Sequence, residues 1–238
     1  MRPGNGQRRR RNVATLVNLP SVSRPKIRTL SPDEARLLLK AAKGERLEAL
    51  YTVTLALGFR RGEILGLSWT DVDLEQSKVP VNCSLQRVNG ELKLQEPKTE
   101  QSRRTVAPHP AMVGALRAHR VRQQRERLLA GIRWQESGLV FNCRVGTPLE
   151  PRNMLRDFRR IVDKAGLPRM RFHGLRHSAA SLLIAQGVHP RAIMELLGHR
   201  SIAITMNTYG HVMPAMMREV ADQMHRILAP PASLAANN

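Results

Sequence analysis

The chain has 238 residues, enough for one large domain or a medium-sized domain with tails. Its 39 lysines and arginines against 19 acidic residues give a net charge of +20, which favours a polyanionic partner, although a generally basic proteome or a ribosome-associated protein would also account for it. Aromatic residues make up only 3% of the chain, too few for a row of stacking platforms on single-stranded nucleic acid, and no apolar run approaches the roughly 18–20 residues that span a bilayer.

Residues 1–28 are rich in Gly, Pro and Arg and are interpreted as a basic tail that ends in a linker. The four arginines at 8–11 are not followed by the apolar segment of a secretory signal. The two cysteines, Cys83 and Cys143, lie far apart without metal-ligand neighbours and favour a reducing compartment with no disulfide framework. We therefore expect a cytoplasmic protein that is not bound to a membrane.

From residue 29 onwards the pattern predicts a mainly helical α+β domain. Ser31, Pro32 and Glu34 supply an N-cap, a first-turn proline and a capping-box glutamate, so a helix should run from there to about Ala42. A small antiparallel sheet of three strands should follow at 79–88, 91–95 and 103–106, with turns at 89–90 and 97–102. The other helices are predicted at 46–58, 61–69, 110–129, 151–165, 174–186, 190–197, 202–208 and 214–228.

Four short segments contain the chemically distinctive residues. Segment 58–63 reads GFRRGE, 97–104 contains PKT and SRR, 173–177 reads HGLRH, and 196–211 contains LLGH and ends in TYGH. In this order they resemble the active-site motifs of the tyrosine recombinases, the phage-integrase family. Each motif alone is common by chance, but five chemically necessary positions in one order make the resemblance specific, and it covers about residues 12–228.

The resemblance implies a tyrosine recombinase catalytic-domain fold and an enzyme that cleaves a DNA phosphodiester. In-line attack on phosphorus adds charge to the non-bridging oxygens, and the planar, permanently charged guanidinium of arginine matches a phosphate. Arg60 and Arg176 would hold these oxygens, and His199 would donate a hydrogen bond to one of them. Glu63 is interpreted as orienting an arginine. Without the resemblance, these residues would be assigned to solvated helix charges or local ion pairs.

Tyr209 would be the nucleophile, forming a 3′-phosphotyrosyl bond and releasing a 5′-hydroxyl. A phenol has a pKa of about 10, so it must lose its proton during the attack, and His173 is the candidate base. Lys98 would be the general acid that protonates the leaving 5′-oxygen. The other tyrosine, Tyr51, lies in an apolar helix and is predicted to be core, and His177 is interpreted as structural.

The catalytic set is therefore Arg60, Lys98, His173, Arg176, His199 and Tyr209. We expect no metal and no cofactor, because the sequence has no metal-ligand cluster and no P-loop, and a phosphotyrosine conserves the energy of the broken bond. A catalytically weak or inactive DNA-binding relic, a type IB topoisomerase and a metal-independent ribonuclease remain as alternatives.

The predicted organisation has three parts. Residues 1–28 form the tail and the remnant of an interdomain linker, 29–212 the catalytic domain, and 213–238 a C-terminal helix and tail that docks on a neighbouring protomer or packs on its own domain. Members of the family normally carry a separate DNA-binding domain before the catalytic one, so a fragment or a short form is expected here. The expected partners are double-stranded DNA, other copies of the chain in a tetramer on DNA, and DNA-bending accessory proteins.

Overall fold

The structure, a computed structural model, describes residues 28–96 and 103–198, together with Met224. These two ranges contain seven α-helices and four short antiparallel strands. The helices are α1 (Pro32–Ala42), α2 (Glu48–Leu57), α3 (Arg61–Leu65), α4 (Pro110–Ala130), α5 (Pro151–Lys164), α6 (His173–Ala185) and α7 (Pro190–Leu197). The strands are β1 (Val79–Val81), β2 (Ser84–Val88), β3 (Glu91–Gln95) and β4 (Arg104–Val106). The predicted mainly helical α+β class is confirmed.

Helix α1 begins as its capping sequence predicts. The Ser31 hydroxyl accepts a hydrogen bond from the Glu34 amide at 3.2 Å, and the Ser31 amide donates to Glu34 Oε2 at 3.0 Å. This reciprocal pair satisfies two amides that the first turn of the helix leaves without partners, while Pro32 has no amide proton to satisfy. Leu38 and Ala42 lie on the opposite, buried face.

Helix α2 is apolar on nearly every side because it lies at the centre of the domain, in contact with α1, α4 and α6. Tyr51 is fully buried, as predicted, and packs against Phe158 with a ring-centroid distance of 5.8 Å. Its hydroxyl donates to Asp157 Oδ2 at 2.6 Å. The helix ends at Gly58, whose φ of 62° is the left-handed conformation that terminates many helices.

The predicted single three-stranded sheet is wrong in its pairing. The predicted strand 79–88 is interrupted at Asn82 and Cys83, and the resulting strands form two separate ladders, β1 with β4 and β2 with β3. Residue Val79 pairs with Val106, and both are buried, so the apolar core pairs β4 with β1 and not with the exposed β3. The β2–β3 hairpin closes as predicted at Asn89 and Gly90, both of which have positive φ.

Helix α3 is shorter than the predicted 61–69. It ends at Leu65 because β2 crosses it closely at Gly66, where an added Cβ would lie 2.9 Å from the Leu85 amide nitrogen. The chain then extends, and the Leu67 carbonyl accepts from the Val140 amide at 2.8 Å. The predicted residues 66–69 of the helix are therefore not helical: Gly66 and Trp69 lie in turns, and Ser68 forms an isolated β-bridge with Leu139.

The other helices start and stop within two residues of their predicted positions. A second small apolar cluster joins α6 to α7 through Ala180, Ile184, Ile193 and Leu197. It directs the C-terminal end of α7 towards α3 and β4. The predicted helices 202–208 and 214–228 lie outside the described residues, except for Met224, which is 48% exposed. No helix in the described part of the chain is both long and apolar enough to cross a bilayer.

Candidate active site

The structure describes three of the six predicted catalytic residues: Arg60, His173 and Arg176. Arg60 precedes the first turn of α3, and the other two lie in the first turn of α6. Arg60 and His173 line the same groove, and Arg60 and Arg176 donate to the adjacent carbonyls of Gly198 and Leu197. The structure therefore brings these three residues together. The predicted general acid Lys98, the phosphate ligand His199 and the nucleophile Tyr209 lie outside the described residues.

Arg176 is buried, with only 3% of its surface exposed, and it joins the ends of two helices. Its Nη1 donates to the Gly58 carbonyl at 2.7 Å, and its Nη2 donates to the Leu197 carbonyl at 2.6 Å. These carbonyls lie at the C-terminal ends of α2 and α7, where the helix dipoles are negative. The guanidinium is consequently held from both sides.

Arg60 is more accessible, with 39% of its side chain exposed. Its Nη1 donates to Glu63 Oε1 at 2.6 Å, and its Nη2 donates to the Gly198 carbonyl at 2.9 Å. One edge of the guanidinium is therefore fixed by the protein, and the group remains open to solvent.

Glu63 is a buried carboxylate that accepts from two arginines, which agrees with its predicted orienting role. Its Oε2 accepts from the Arg60 amide at 2.9 Å and from Arg104 Nη2 at 3.0 Å. Burial alone would raise the pKa of Glu63, but the charge and hydrogen bonds of Arg104 and Arg60 outweigh burial and hold this pKa at about 2. Glu63 is therefore ionised at every ordinary pH and is not a proton donor.

Arg104 is the site residue to which the sequence assigned no role. Its Nε donates to the Leu196 carbonyl at 2.6 Å, and its side chain and that of Glu63 are both only 7% exposed. Its guanidinium also lies over the Phe59 ring, 5.5 Å from the centroid. One feature of the sequence could have indicated that Arg104 is buried. The two-residue period of a strand places Arg104 on the same face as the buried Val106.

The three arginines meet at one place, the C-terminal end of α7. Arg104, Arg176 and Arg60 donate in turn to the consecutive carbonyls of Leu196, Leu197 and Gly198. The last carbonyls of a helix have no partners within the helix, and cations favour its negative end. The end of α7 thus organises three guanidinium groups with its own backbone. It is also the segment that leads into His199.

His173 is exposed and packs edge-on against His177, with ring centroids 4.7 Å apart and an interplanar angle of 87°. Partial desolvation of the ring, followed by the charges of Arg176 and Arg60, lowers the pKa of His173 below 6.5. Burial, then His173 and Arg176, lowers the pKa of His177 to about 4. Both imidazoles are therefore neutral near pH 7, and a neutral His173 is able to accept a proton.

A groove with a volume of about 960 Å³ opens beside Arg60 and His173. Its walls come from β2, α5 and the segment before α6. Among the described residues, six arginines line it together with one acidic residue, Glu150, which is paired with Arg87. The arginines are Arg60, Arg61, Arg87, Arg152, Arg159 and Arg171. This concentration of positive charge suits a polyanion.

The chain contains two tyrosines, and Tyr51 is unsuited to act as a nucleophile. It is fully buried, and its hydroxyl is bonded to Asp157. Burial, and then the carboxylate of Asp157, raises the pKa of Tyr51 well above its usual value, which disfavours the phenolate. A tyrosine nucleophile in this chain would have to be Tyr209.

Comparison with known proteins identifies the family of the chain. A sequence model of the phage integrase family matches residues 28–216. A tyrosine recombinase XerC-like protein of Caldanaerobacter subterraneus subsp. tengcongensis is 36% identical over 84% of this chain and 54% of its own length. An integrase of Saccharopolyspora erythraea is 26% identical over 90% of this chain and 61% of its own length. The chain thus spans between half and two thirds of these curated relatives.

A solved structure of the Tn1549 transposon integrase with transposon right end DNA has the same fold, with a TM-score of 0.70 and 23% identity. The match covers 89% of this chain and 71% of that one. The family match extends over most of the chain and includes Arg60, His173 and Arg176. The chain therefore belongs to the phage integrase family of tyrosine recombinases.

Proposed function

We propose that this chain is the catalytic part of a site-specific DNA recombinase, an integrase that cleaves and rejoins DNA through a 3′-phosphotyrosyl intermediate. The observation that carries the proposal is the convergence of Arg60 and Arg176 at the end of α7, beside a neutral His173. Two guanidiniums held by backbone carbonyls are preorganised for a group whose negative charge grows in the transition state. Family membership agrees with that chemistry.

In the proposed step, Tyr209 Oη attacks the phosphorus of one strand. A bond forms between Oη and phosphorus, and the bond from phosphorus to the 5′-oxygen breaks. The phenolic proton passes to His173, and Lys98 gives a proton to the departing 5′-oxygen. Arg60, Arg176 and His199 stabilise the non-bridging oxygens. Rejoining reverses these transfers when a 5′-hydroxyl attacks the phosphotyrosine, so no external energy source is used.

Duplex DNA is the proposed substrate, and the arginine-lined groove beside Arg60 is the proposed contact surface for its backbone. Guanidinium contacts to phosphates position a protein on DNA without selecting a sequence. We further propose that copies of the chain assemble as a tetramer on DNA, helped by DNA-bending proteins. The lambda integrase tetramer bound to a Holliday junction has the same fold, with a TM-score of 0.53 and 18% identity.

The test is covalent capture on a nicked duplex that carries the recombination site, with EDTA present throughout. The wild-type protein should become attached to a 3′-phosphate and give a slower band on a denaturing gel. Tyr209→Phe should give no such band, because the nucleophilic oxygen is gone, while its affinity for the duplex stays within about threefold, roughly 0.7 kcal/mol.

Tyr51→Phe is the matched control, since it removes the only other phenolic oxygen of the chain. This variant loses a buried hydrogen bond and some stability but should still form the adduct. An adduct formed by Tyr209→Phe would overturn the assignment of the nucleophile. Absence of any adduct from the wild-type protein would overturn the proposed cleavage activity and favour a DNA-binding relic.

A further inference from the structure

Arg104 occupies an unusual position for an arginine, buried at the start of β4. Besides lying over the Phe59 ring, it forms an ion pair with Glu63 and donates a hydrogen bond to the Leu196 carbonyl at the end of α7. Taking a guanidinium and a carboxylate out of water costs several kcal/mol unless the pair is well hydrogen-bonded. Because a buried ion pair of this kind contributes little net stability to a fold, stability alone does not explain why Arg104 is buried here.

The ion pair with Glu63 and the hydrogen bond to the Leu196 carbonyl both connect Arg104 to the side chain of Arg60. Arg104 holds Glu63 Oε2, and Glu63 Oε1 accepts from Arg60 Nη1 at 2.6 Å. Arg104 also holds the Leu196 carbonyl, and two residues later the Gly198 carbonyl accepts from Arg60 Nη2 at 2.9 Å. Arg60 Nη1 is therefore bonded to a carboxylate that Arg104 also holds, and Arg60 Nη2 is bonded to a carbonyl two residues beyond the one that Arg104 holds.

We propose that Arg104 is a positioning residue that orients the Arg60 guanidinium towards the scissile phosphate through Glu63 and through the end of α7. The inference rests on the proposed function of Arg60. Arg104 acts through Arg60 and not by direct contact with the DNA, because the side chain of Arg104 is only 7% exposed. The side chain of Arg60 is 39% exposed and opens to the groove. A lysine at this position would keep the charge but not the fork that binds a carboxylate and a carbonyl together.

The geometry around Gly198 supports this coupling. Gly198 has a φ of 63°, and a Cβ added to it would lie 3.0 Å from Arg104 Nη1. Arg104 therefore packs directly against the residue that presents its carbonyl to Arg60. A side chain at residue 198 would collide with Arg104. Loss of Arg104 would remove the side chain that packs against Gly198.

The experiment compares Arg104→Gln with Arg103→Gln on two nicked substrates. Arg103 is the matched control because its side chain is 55% exposed and pairs with Glu96, so the same charge is lost without disturbing Glu63. On a phosphodiester, Arg104→Gln should slow covalent cleavage about 10- to 100-fold at saturating DNA, with the duplex Kd changed less than threefold. Arg103→Gln should stay within twofold of wild type.

The second substrate carries a methylphosphonate at the scissile position. A methyl group replaces the charged oxygen, so the charge that Arg60 would neutralise is missing and its orientation matters less. The difference between wild type and Arg104→Gln should then shrink to about threefold or less. Equal defects on both substrates, or wild-type rates for Arg104→Gln on the phosphodiester, would overturn the positioning role.

The pH profile gives a further readout. With Arg104 gone, Arg60 alone of the described residues opposes the effect of burial on Glu63, so the pKa of Glu63 rises from about 2. Glu63 must be ionised to hold Arg60, and Arg104→Gln should therefore lose cleavage on the acid side at a higher pH than wild type. If Arg104→Gln and wild type lose cleavage at the same acidic pH, Arg104 does not orient Arg60 through Glu63.

A last measurement covers the cases in which Arg104→Gln fails to fold or the wild-type protein proves inactive. The Nε–H resonance of Arg60 is followed by NMR in DNA-free wild-type protein and in Arg104→Lys. We expect a sharp, protected signal in the wild type and a broadened, rapidly exchanging one in Arg104→Lys. Identical signals would overturn the inference irrespective of activity, whereas loss of the wild-type adduct alone would count only against the proposed function.

Discussion

Arg60, Arg104 and Arg176 donate to three neighbouring carbonyls of α7, yet they differ in exposure. The side chain of Arg60 is 39% exposed, that of Arg104 is 7% exposed, and Arg176 as a residue is 3% exposed. A guanidinium has five N–H donors, and the bonds from Arg60 to Glu63 and Gly198 use two of them. Arg60 can thus keep its protein contacts while it binds the phosphate proposed for it.

The general acid can be tested separately from the nucleophile. If Lys98 protonates the leaving 5′-oxygen, Lys98→Ala should slow cleavage by about 10²–10⁴-fold. A substrate with sulfur in place of the bridging 5′-oxygen should recover most of that rate, because a thiolate leaves without a proton. The measurement is the rate of adduct formation on the two substrates.

Lys93→Ala is the control for this experiment. Lys93 lies on β3, with 52% of its side chain exposed, and pairs with Glu91, so its loss removes one charge five residues before Lys98 in the sequence. It should leave both rates within about twofold of wild type. Equal slowing of Lys98→Ala on the oxygen and sulfur substrates would show that Lys98 does not protonate the leaving group.

Part of this site could be predicted from the types and order of its residues. The rest depends on contacts between residues that are distant in the sequence. Arg60, Arg176 and His173 were predictable because their chemistry suits a phosphodiester and their motifs occur in order. Arg104 stands in one of the same motifs, but its partners Glu63 and Leu196 are 41 and 92 residues away. No local pattern reveals that a strand arginine is buried against them.

At the level of elements, the junction between α2 and α3 is constrained by close packing against α7. Gly58 has a φ of 62°, and a Cβ added there would lie 2.2 Å from Leu197 Cδ2. The Gly58 carbonyl also accepts from Arg176. The close approach of α2 and α7 at this glycine therefore sets the distance across which Arg176 connects the two helices.

Gly58→Ala should consequently destabilise the fold through two effects. The left-handed conformation costs about 1–2 kcal/mol for a residue with a Cβ, and the overlap with Leu197 adds about 1–3 kcal/mol. Chemical denaturation should therefore show a loss of about 2–5 kcal/mol. Gly44→Ala is the control, since Gly44 has a φ of 79° but nothing within 4 Å of the added Cβ. A loss at Gly58 no larger than that at Gly44 would show that the contact with Leu197 is unimportant.

Helix ends marked by local chemistry were predictable, whereas ends determined by tertiary packing were not. The capping box at Ser31 and the glycine at residue 58 mark boundaries that the structure confirms. Helix α3 ends early because β2 passes against Gly66, and β4 pairs with β1 because Val79 and Val106 share the core. Both features depend on residues that are distant in sequence, so periodicity alone could not reveal them.

For the whole molecule, the site lies where two apolar clusters meet. The main core includes α1 to α5, and the smaller cluster joins α6 to α7. Arg60, Arg104 and Arg176 connect elements across this boundary through the end of α7. Any element that moves α7 would move all three arginines together, which offers a physical route for coupling the proposed assembly on DNA to the proposed cleavage.

The segment after α7 is the candidate for such an element. Met217, Val220, Met224, Ile227 and Leu228 have the spacing of an amphipathic helix. We propose that this segment docks on a neighbouring protomer and does not complete its own domain.

Deleting the residues after Ala215 tests the docking proposal. If the segment docks in trans, the free monomer should keep its melting temperature within about 2 °C and its affinity for a single site within about threefold, while two-site synapsis is strongly weakened. Thermal unfolding, single-site binding and a two-site pairing assay measure the three quantities. Deleting only residues 229–238 is the control and should leave all three unchanged. A fall of many degrees in the melting temperature of the free monomer would show that the segment packs on its own core, because a residue that buries apolar area within one domain stabilises that domain without any partner.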